Sequence, residues 1–214
     1  MGMVMLSGFV VSGVVALQTT PAPADLVAAW SFNGLDGTSA WLPSDAGDAW
    51  MDLGPLHSSS HLFKGTDLNA PAGWGPGDAI GLQGPEVESG SLLLGIESGL
   101  GAPGIADPVQ VSFAARRSDT GFDRVSVESW SAGSWRLLDS LTIETTWGLH
   151  EVSPIEIDPL SGLLLRFTME GSSSSLGTIR FDNLRIDAMP VPAPATAALL
   201  GVGGLLGAGG RRRS

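Results

Sequence analysis

An all-β, antiparallel sandwich is predicted for residues 25–190, and three observations carry the prediction. Apolar and polar residues alternate with period two in several runs. Turns rich in Gly, Ser and Asp separate those runs, and no convincing amphipathic helix of twelve residues occurs before residue 191. Short strands with such turns in one domain argue for a sandwich or jelly roll.

Taken in order, Leu26 to Asn33 reads as a first strand that stops at Gly34. Residues 34–60 are rich in Gly, Asp, Ser and Pro and are expected to be long loops, with Trp41 and Trp50 as their apolar anchors. His61 to Phe63, Ala79 to Leu82 and Ser91 to Ile96 are short strands, and Ser98 to Pro108 is loop. Val109, Val111 and Phe113 alternate with Gln110, Ser112 and Ala114, as in a half-buried strand. Arg124 to Trp130 and Trp135 to Ile143 flank Ser131-Ala132-Gly133-Ser134, a hairpin. Leu163, Leu165, Phe167 and Met169 alternate with Leu164, Arg166, Thr168 and Glu170 in the cleanest run of the chain. In the last strand Ile179 and Phe181 are out of phase with Leu184 and Ile186. One extra residue at Asp182-Asn183 restores the phase, which predicts a β-bulge.

Composition narrows the function. There is no cysteine, so packing or a metal ion must hold an exported fold together. All 22 acids but only 8 of the 11 Lys and Arg lie in residues 25–190. That field argues against nucleic acid or anionic lipid as partner and suits cations, solubility or neutral sugars. A merely solvated acidic surface is the plain alternative.

The two ends read as addresses. Residues 1–24 hold an uncharged apolar run, Met3 to Ala16, followed by small-residue cleavage options at Val14-Val15-Ala16 and Ala22-Pro23-Ala24. No Lys or Arg precedes that run, and the first is Lys64. Residues 191–214 begin Val191-Pro192-Ala193-Pro194-Ala195, continue through an apolar stretch to Gly210 and close on Arg211-Arg212-Arg213. The stretch Ala195 to Gly210 would be about 24 Å long as a helix, short of the ~30 Å hydrocarbon core. The arginines follow the positive-inside pattern. An ordinary anchor helix is one reading of this tail.

The tripartite tail closely resembles the PEP-CTERM sorting signal, with Ala193 where the usual Pro-Glu-Pro carries glutamate. That resemblance implies a transient transmembrane anchor, recognised by an exosortase-type membrane protease near Pro192 and Pro194, and export to the cell surface or extracellular space. Residues 109–188, through Val111 to Phe122, Thr146-Trp147 and Arg180 to Ile186, also resemble β-sandwich ectodomains that precede such tails. These are similar in fold to carbohydrate-binding, galactose-binding-like jelly rolls, and most have no assigned activity.

Candidates for chemistry are few. Asp182 and Asn183, at the expected bulge, offer the hard oxygen ligands that Ca2+ prefers. The resemblance adds that jelly rolls often carry a structural calcium. Equally, the pair would cap local backbone groups, or Asp182 would pair with Arg180 or Arg185. His57 and His61 have the i, i+4 spacing of helical zinc ligands, but Ser58 to Ser60 disfavour helix and H-E-x-x-H is absent. His150-Glu151, adjacent on a strand, would point to opposite faces. No G-x-S-x-G nucleophile motif occurs.

Of the seven tryptophans, Trp41, Trp50 and Trp74 fall in loops, as packing anchors or as a platform for sugar rings. Trp30, Trp130, Trp135 and Trp147 fall in strand-like runs and are expected in the core. The chain therefore reads as a non-enzymatic exported β-sandwich with a structural or adhesive role in the exopolysaccharide layer. A calcium-stabilised carbohydrate-binding module is the alternative, and a glycan-directed hydrolase a third.

Overall fold

The computed structural model describes residues 25–35, 37, 39–84, 87, 90–96, 108–157 and 162–189. Residues 1–24, expected as a signal segment, and residues 191–214, expected as a sorting tail, Val191 to Ala195 and Arg211 to Arg213 included, lie outside the described residues, as does most of the expected loop at 98–108. Among the described residues no helix is long and apolar enough to cross a membrane.

The described chain is an antiparallel sandwich of two sheets. In chain order the strands are β1 (Asp25–Trp30), β2 (Trp41–Pro43), β3 (Ala46–Gly47), β4 (Trp50–Asp52), β5 (Ser60–Lys64), β6 (Asp78–Gln83) and β7 (Leu92–Ile96). They continue with β8 (Val109–Arg117), β9 (Arg124–Ser131), β10 (Ser134–Thr142), β11 (Gly148–Ile155), β12 (Leu163–Glu170) and β13 (Thr178–Ala188). Sheet one is built on β13. One side of β13 pairs with β8, which carries β11; the other is shared by β6 at its start and β1 at its end, with β5 and β3 outside them. Sheet two runs β10-β9-β12-β7-β4-β2.

Alternation decides which side chains fill the space between the sheets. Leu163, Leu165, Phe167 and Met169 of β12 are buried, and Val125 and Val127 of β9 beside them likewise. From sheet one Val109, Val111 and Phe113 meet them, with Phe181, Leu184 and Ile186 of β13. Phe113 sits at the centre, with ring centroids 5.7 Å from Phe167 of the opposite sheet and 5.6 Å from Phe181 on the neighbouring strand. Tilted and edge-on contacts of this kind add stabilisation beyond the area buried. Trp30 is in this core, its indole N–H donating to Leu42 O at 3.2 Å and so tying β1 to β2.

The predicted bulge is present. Asp182 faces Ala114 and Arg185 faces Ser112, so three residues of β13 advance against two of β8. Asn183 holds φ at 46°, in the left-handed region that Asn tolerates better than most side chains. The hairpin is present as well: Ala132 and Gly133 both have positive φ, as a two-residue type I′ connection requires.

Residues 34–60 correct the expectation of long loops. Three short strands and a 3-10 turn at Gly54–Ser59 form there, because β2 and β4 extend sheet two beyond β7 and gain ladder hydrogen bonds from it. A three-residue strand supplies too little alternation to be read locally.

Candidate functional site: the outer face of sheet two

The outward side chains of sheet two line up across all six strands. Leu137, Glu128, Arg166, Leu93, Asp52 and Trp41 are successive cross-strand neighbours from β10 to β2. Two residues further along the same face, Trp135 pairs with Trp130 at one end and Gly95 with Trp50 at the other. Each end of the face therefore carries two indoles. Trp41 and Trp50 stack with centroids 4.4 Å apart and planes inclined by 18°, while Trp130 and Trp135 meet edge to face at 5.3 Å. Trp41 is 48% exposed and Trp130 42%. Trp130 on β9 and Trp50 on β4 are three strand spacings apart, about 14 Å.

Beside the row that joins the indole pairs, on β9 and β12, lies an open groove of about 380 Å³, lined among others by Ser126, Glu128, Arg166, Thr168 and Glu170. At its end nearer the indoles is an ion pair. Arg166 Nε donates to Glu128 Oε2 at 2.7 Å, and the same guanidinium lies 4.4 Å from the centroid of Trp135. An arginine held by a carboxylate on one side and an indole face on the other has little rotamer freedom left, so its remaining N–H groups are presented in a fixed direction. The floor beneath Trp50 is Gly95, where a side chain would collide with the indole.

Asp182 and Asn183 come together at the bulge, on sheet one. Asp182 Oδ2 accepts from Thr66 N at 2.6 Å and Oδ1 from Asn183 N at 2.8 Å. Asn183 Nδ2 donates to Thr66 O at 2.7 Å and Leu68 O at 3.0 Å, and Asn183 O accepts from Asn69 Nδ2 at 2.7 Å. The buried pair clamps the loop between β5 and β6 onto the sheet. Asp182 makes no ion pair with Arg180 or Arg185; Arg185 pairs with Asp187 instead, at 2.6 Å. Burial pushes the Asp182 carboxyl up to about 6; the Thr66 and Asn183 N–H groups oppose that rise, and Asp78 adds to it.

His57 and His61 stand on different elements, not on the one helix that i, i+4 ligation needs, although both line one cavity. His57, in the 3-10 turn, places Nε2 2.9 Å from Gly37 O, and His61 is on β5. Among the described residues no three His, Asp or Glu side chains converge as a metal site. His150 turns inward against Phe113, ring centroids 5.5 Å apart, while Glu151 is exposed, so the two form no dyad. Burial lowers the pKa of His150.

No family model matches this sequence, and no curated protein does. Solved structures that are similar include TmCBM61 in complex with β-1,4-galactotriose, at 14% identity and TM-score 0.40, covering 61% of this chain and 83% of that one. The CBM22-1 xylan-binding domain of Paenibacillus barcinonensis Xyn10C is similar at 13% identity and TM-score 0.45, over 81% of this chain and 100% of its own. A CBM 22 xylan-binding domain is similar at 11% identity and TM-score 0.48, over 80% and 100%.

Of the three tryptophans expected in loops, two stand on strands, Trp41 on β2 and Trp50 on β4, where they stack, and Trp74 lies apart, on the loop that the bulge holds against sheet one. The expectation that Trp130 and Trp135 are core is corrected: both belong to the outer face. The signal was present in the alternation. Trp130 has the parity of Arg124, Ser126 and Glu128, not that of the buried Val125 and Val127. Size and hydrophobicity pointed inward; parity pointed outward, and parity prevailed because the pleat allows no exception without a bulge.

Proposed function

We propose that this chain is an exported carbohydrate-binding module whose glycan lies across the outer face of sheet two. The observation that supports this most strongly is an exposed indole packed against a second one at each end of this face, with a polar groove beside the row between them. Indole faces stack on the apolar faces of sugar rings, and a pinned Arg166–Glu128 pair offers donors and acceptors to hydroxyls. Four tryptophans on one solvent-facing sheet are hard to reconcile with stability alone. Neutral glycans also suit a chain with net charge −11. This face favours the carbohydrate-binding reading over a purely structural or adhesive one. It is a reading of binding and not of hydrolysis: of the two acids that line the groove, Glu128 is engaged by Arg166 at 2.7 Å and Glu170 lies 3.8 Å from Arg124.

A glycan array probed with the full chain and with Trp41→Ala, Trp50→Ala, Trp130→Ala and Trp135→Ala tests this. Binding by the wild type to neutral oligosaccharides such as xylohexaose, weakened tenfold or more by substitution at either end, is expected. Absence of wild-type binding to every neutral glycan removes the reading.

Delivery to the surface through residues 191–214, by an exosortase-type protease acting near Pro192 and Pro194, is part of the same proposal. Mass spectrometry of the mature protein from its native host checks it, and an intact tail on the surface form would count against cleavage. Calcium at Asp182 and Asn183 would have to share the Asp182 oxygens, both of which already accept N–H bonds; a melting midpoint unchanged between calcium and chelator removes it.

A further inference from the structure

The outer face of sheet one carries a second arrangement, independent of the groove. His61, Gly81, Arg180 and Arg116 are successive cross-strand neighbours on β5, β6, β13 and β8. Arg180 and Arg116 are thus directly opposite each other on the two central strands. Like charges so placed destabilise a sheet unless something neutralises them. In a chain with 22 acids a carboxylate would be the ordinary remedy, yet among the described residues neither arginine has an acid within 4 Å. Neither makes a hydrogen bond there, and the Nε of each is buried with no acceptor. Burial and the neighbouring Arg116 both lower the pKa of Arg180, although a guanidinium stays charged.

The site is also shaped. The Phe63 ring covers the space that a side chain at Gly81 would fill, and its face lies 4.0 Å from the Arg180 guanidinium carbon. Ring and glycine together hold Arg180 beside Arg116 rather than letting it swing towards Asp182, whose oxygens are already taken by backbone N–H groups. Two adjacent guanidinium forks offer paired N–H donors to a single oxyanion. The net negative field that opposes nucleic acid and anionic lipid acts here too, but charges more than about 8 Å away are largely screened at physiological salt, so the two arginines leave the site locally cationic.

We propose that Arg116 and Arg180 form an anion site on sheet one that takes the carboxylate or sulfate groups of an acidic polysaccharide, with His61 and Phe63 at its edge. The site stands on a different sheet from the neutral-glycan groove, so either can fail without the other.

Titration calorimetry of the full chain with trigalacturonate, a sulfated trisaccharide, a neutral trisaccharide and inorganic sulfate tests it. One or both acidic sugars should bind at least tenfold more tightly than the neutral one, and more weakly as salt is raised. Arg116→Met and Arg180→Met should each lose tenfold or more, while Trp50→Ala keeps the acidic ligand. Side-chain Nε–H resonances of Arg116 and Arg180 in the wild type should shift with the acidic sugar, a readout independent of whether the variants fold. Equal affinity for charged and neutral sugars, or unmoved arginine resonances, would overturn the proposal. Inorganic sulfate binding as tightly as the acidic sugars would overturn the polysaccharide assignment.

Discussion

The Trp50 indole occupies the space above Gly95 that any side chain there would need. Gly95 is a strand residue of β7 and Trp50 its cross-strand neighbour on β4, so the missing side chain is what lets the indole lie flat against the sheet and stack on Trp41. Gly95→Ala should therefore lift Trp50 and break the 4.4 Å stack. We expect a loss of roughly 1–3 kcal/mol from overpacking. Near-ultraviolet circular dichroism should change with it, and retention of the wild-type spectrum would argue against this packing.

Arg166 links the groove to the indole pair of Trp130 and Trp135. Arg166→Met keeps most of the stem but removes the bond to Glu128 and the contact with Trp135. The pair is partly solvent-exposed, so stability should fall by less than about 1 kcal/mol. Affinity for a neutral oligosaccharide should fall by much more, and parallel melting and titration experiments separate the two effects.

Asp182 makes stability depend on pH. With its carboxyl pushed up to about 6 in the folded protein, against an ordinary 3.8, the folded chain holds a proton there that the unfolded chain has already released. Between those two values the folded state binds more protons, so this group's contribution to stability falls as pH rises and levels off above about 6. Asp182→Asn cannot titrate, so its urea midpoint should show a flatter slope across that window. The variant should also lose about 1–3 kcal/mol, because an amide leaves the N–H of Thr66 or of Asn183 without an acceptor. An identical pH slope in both proteins would refute the assignment.

Asn183 combines a conformation and a clamp. Asn183→Gly keeps the positive φ but loses the bonds to Thr66 O and Leu68 O, a cost of about 1–3 kcal/mol. Asn183→Ala should cost about 1 kcal/mol more, since a Cβ is disfavoured at φ 46°. Both should speed protease cleavage in the loop between β5 and β6, and an unchanged cleavage rate would mean that other contacts hold that loop.

Period-two alternation by itself determined the antiparallel strands from β8 to β10 and from β12 to β13, the hairpin at Ala132-Gly133 and the bulge at Asp182-Asn183. These are local quantities, repeated every two residues and therefore readable along the chain. The same alternation already placed Trp130 on the polar face, although its bulk suggested otherwise. Only the tertiary structure decided that Trp41 and Trp50 would stack at the far edge of that same sheet, and that Thr66 would donate to a carboxylate 116 residues away. Only it set Arg116 opposite Arg180. Such pairings depend on which strands become neighbours when the two sheets close over Phe113, and no short stretch of chain carries that information.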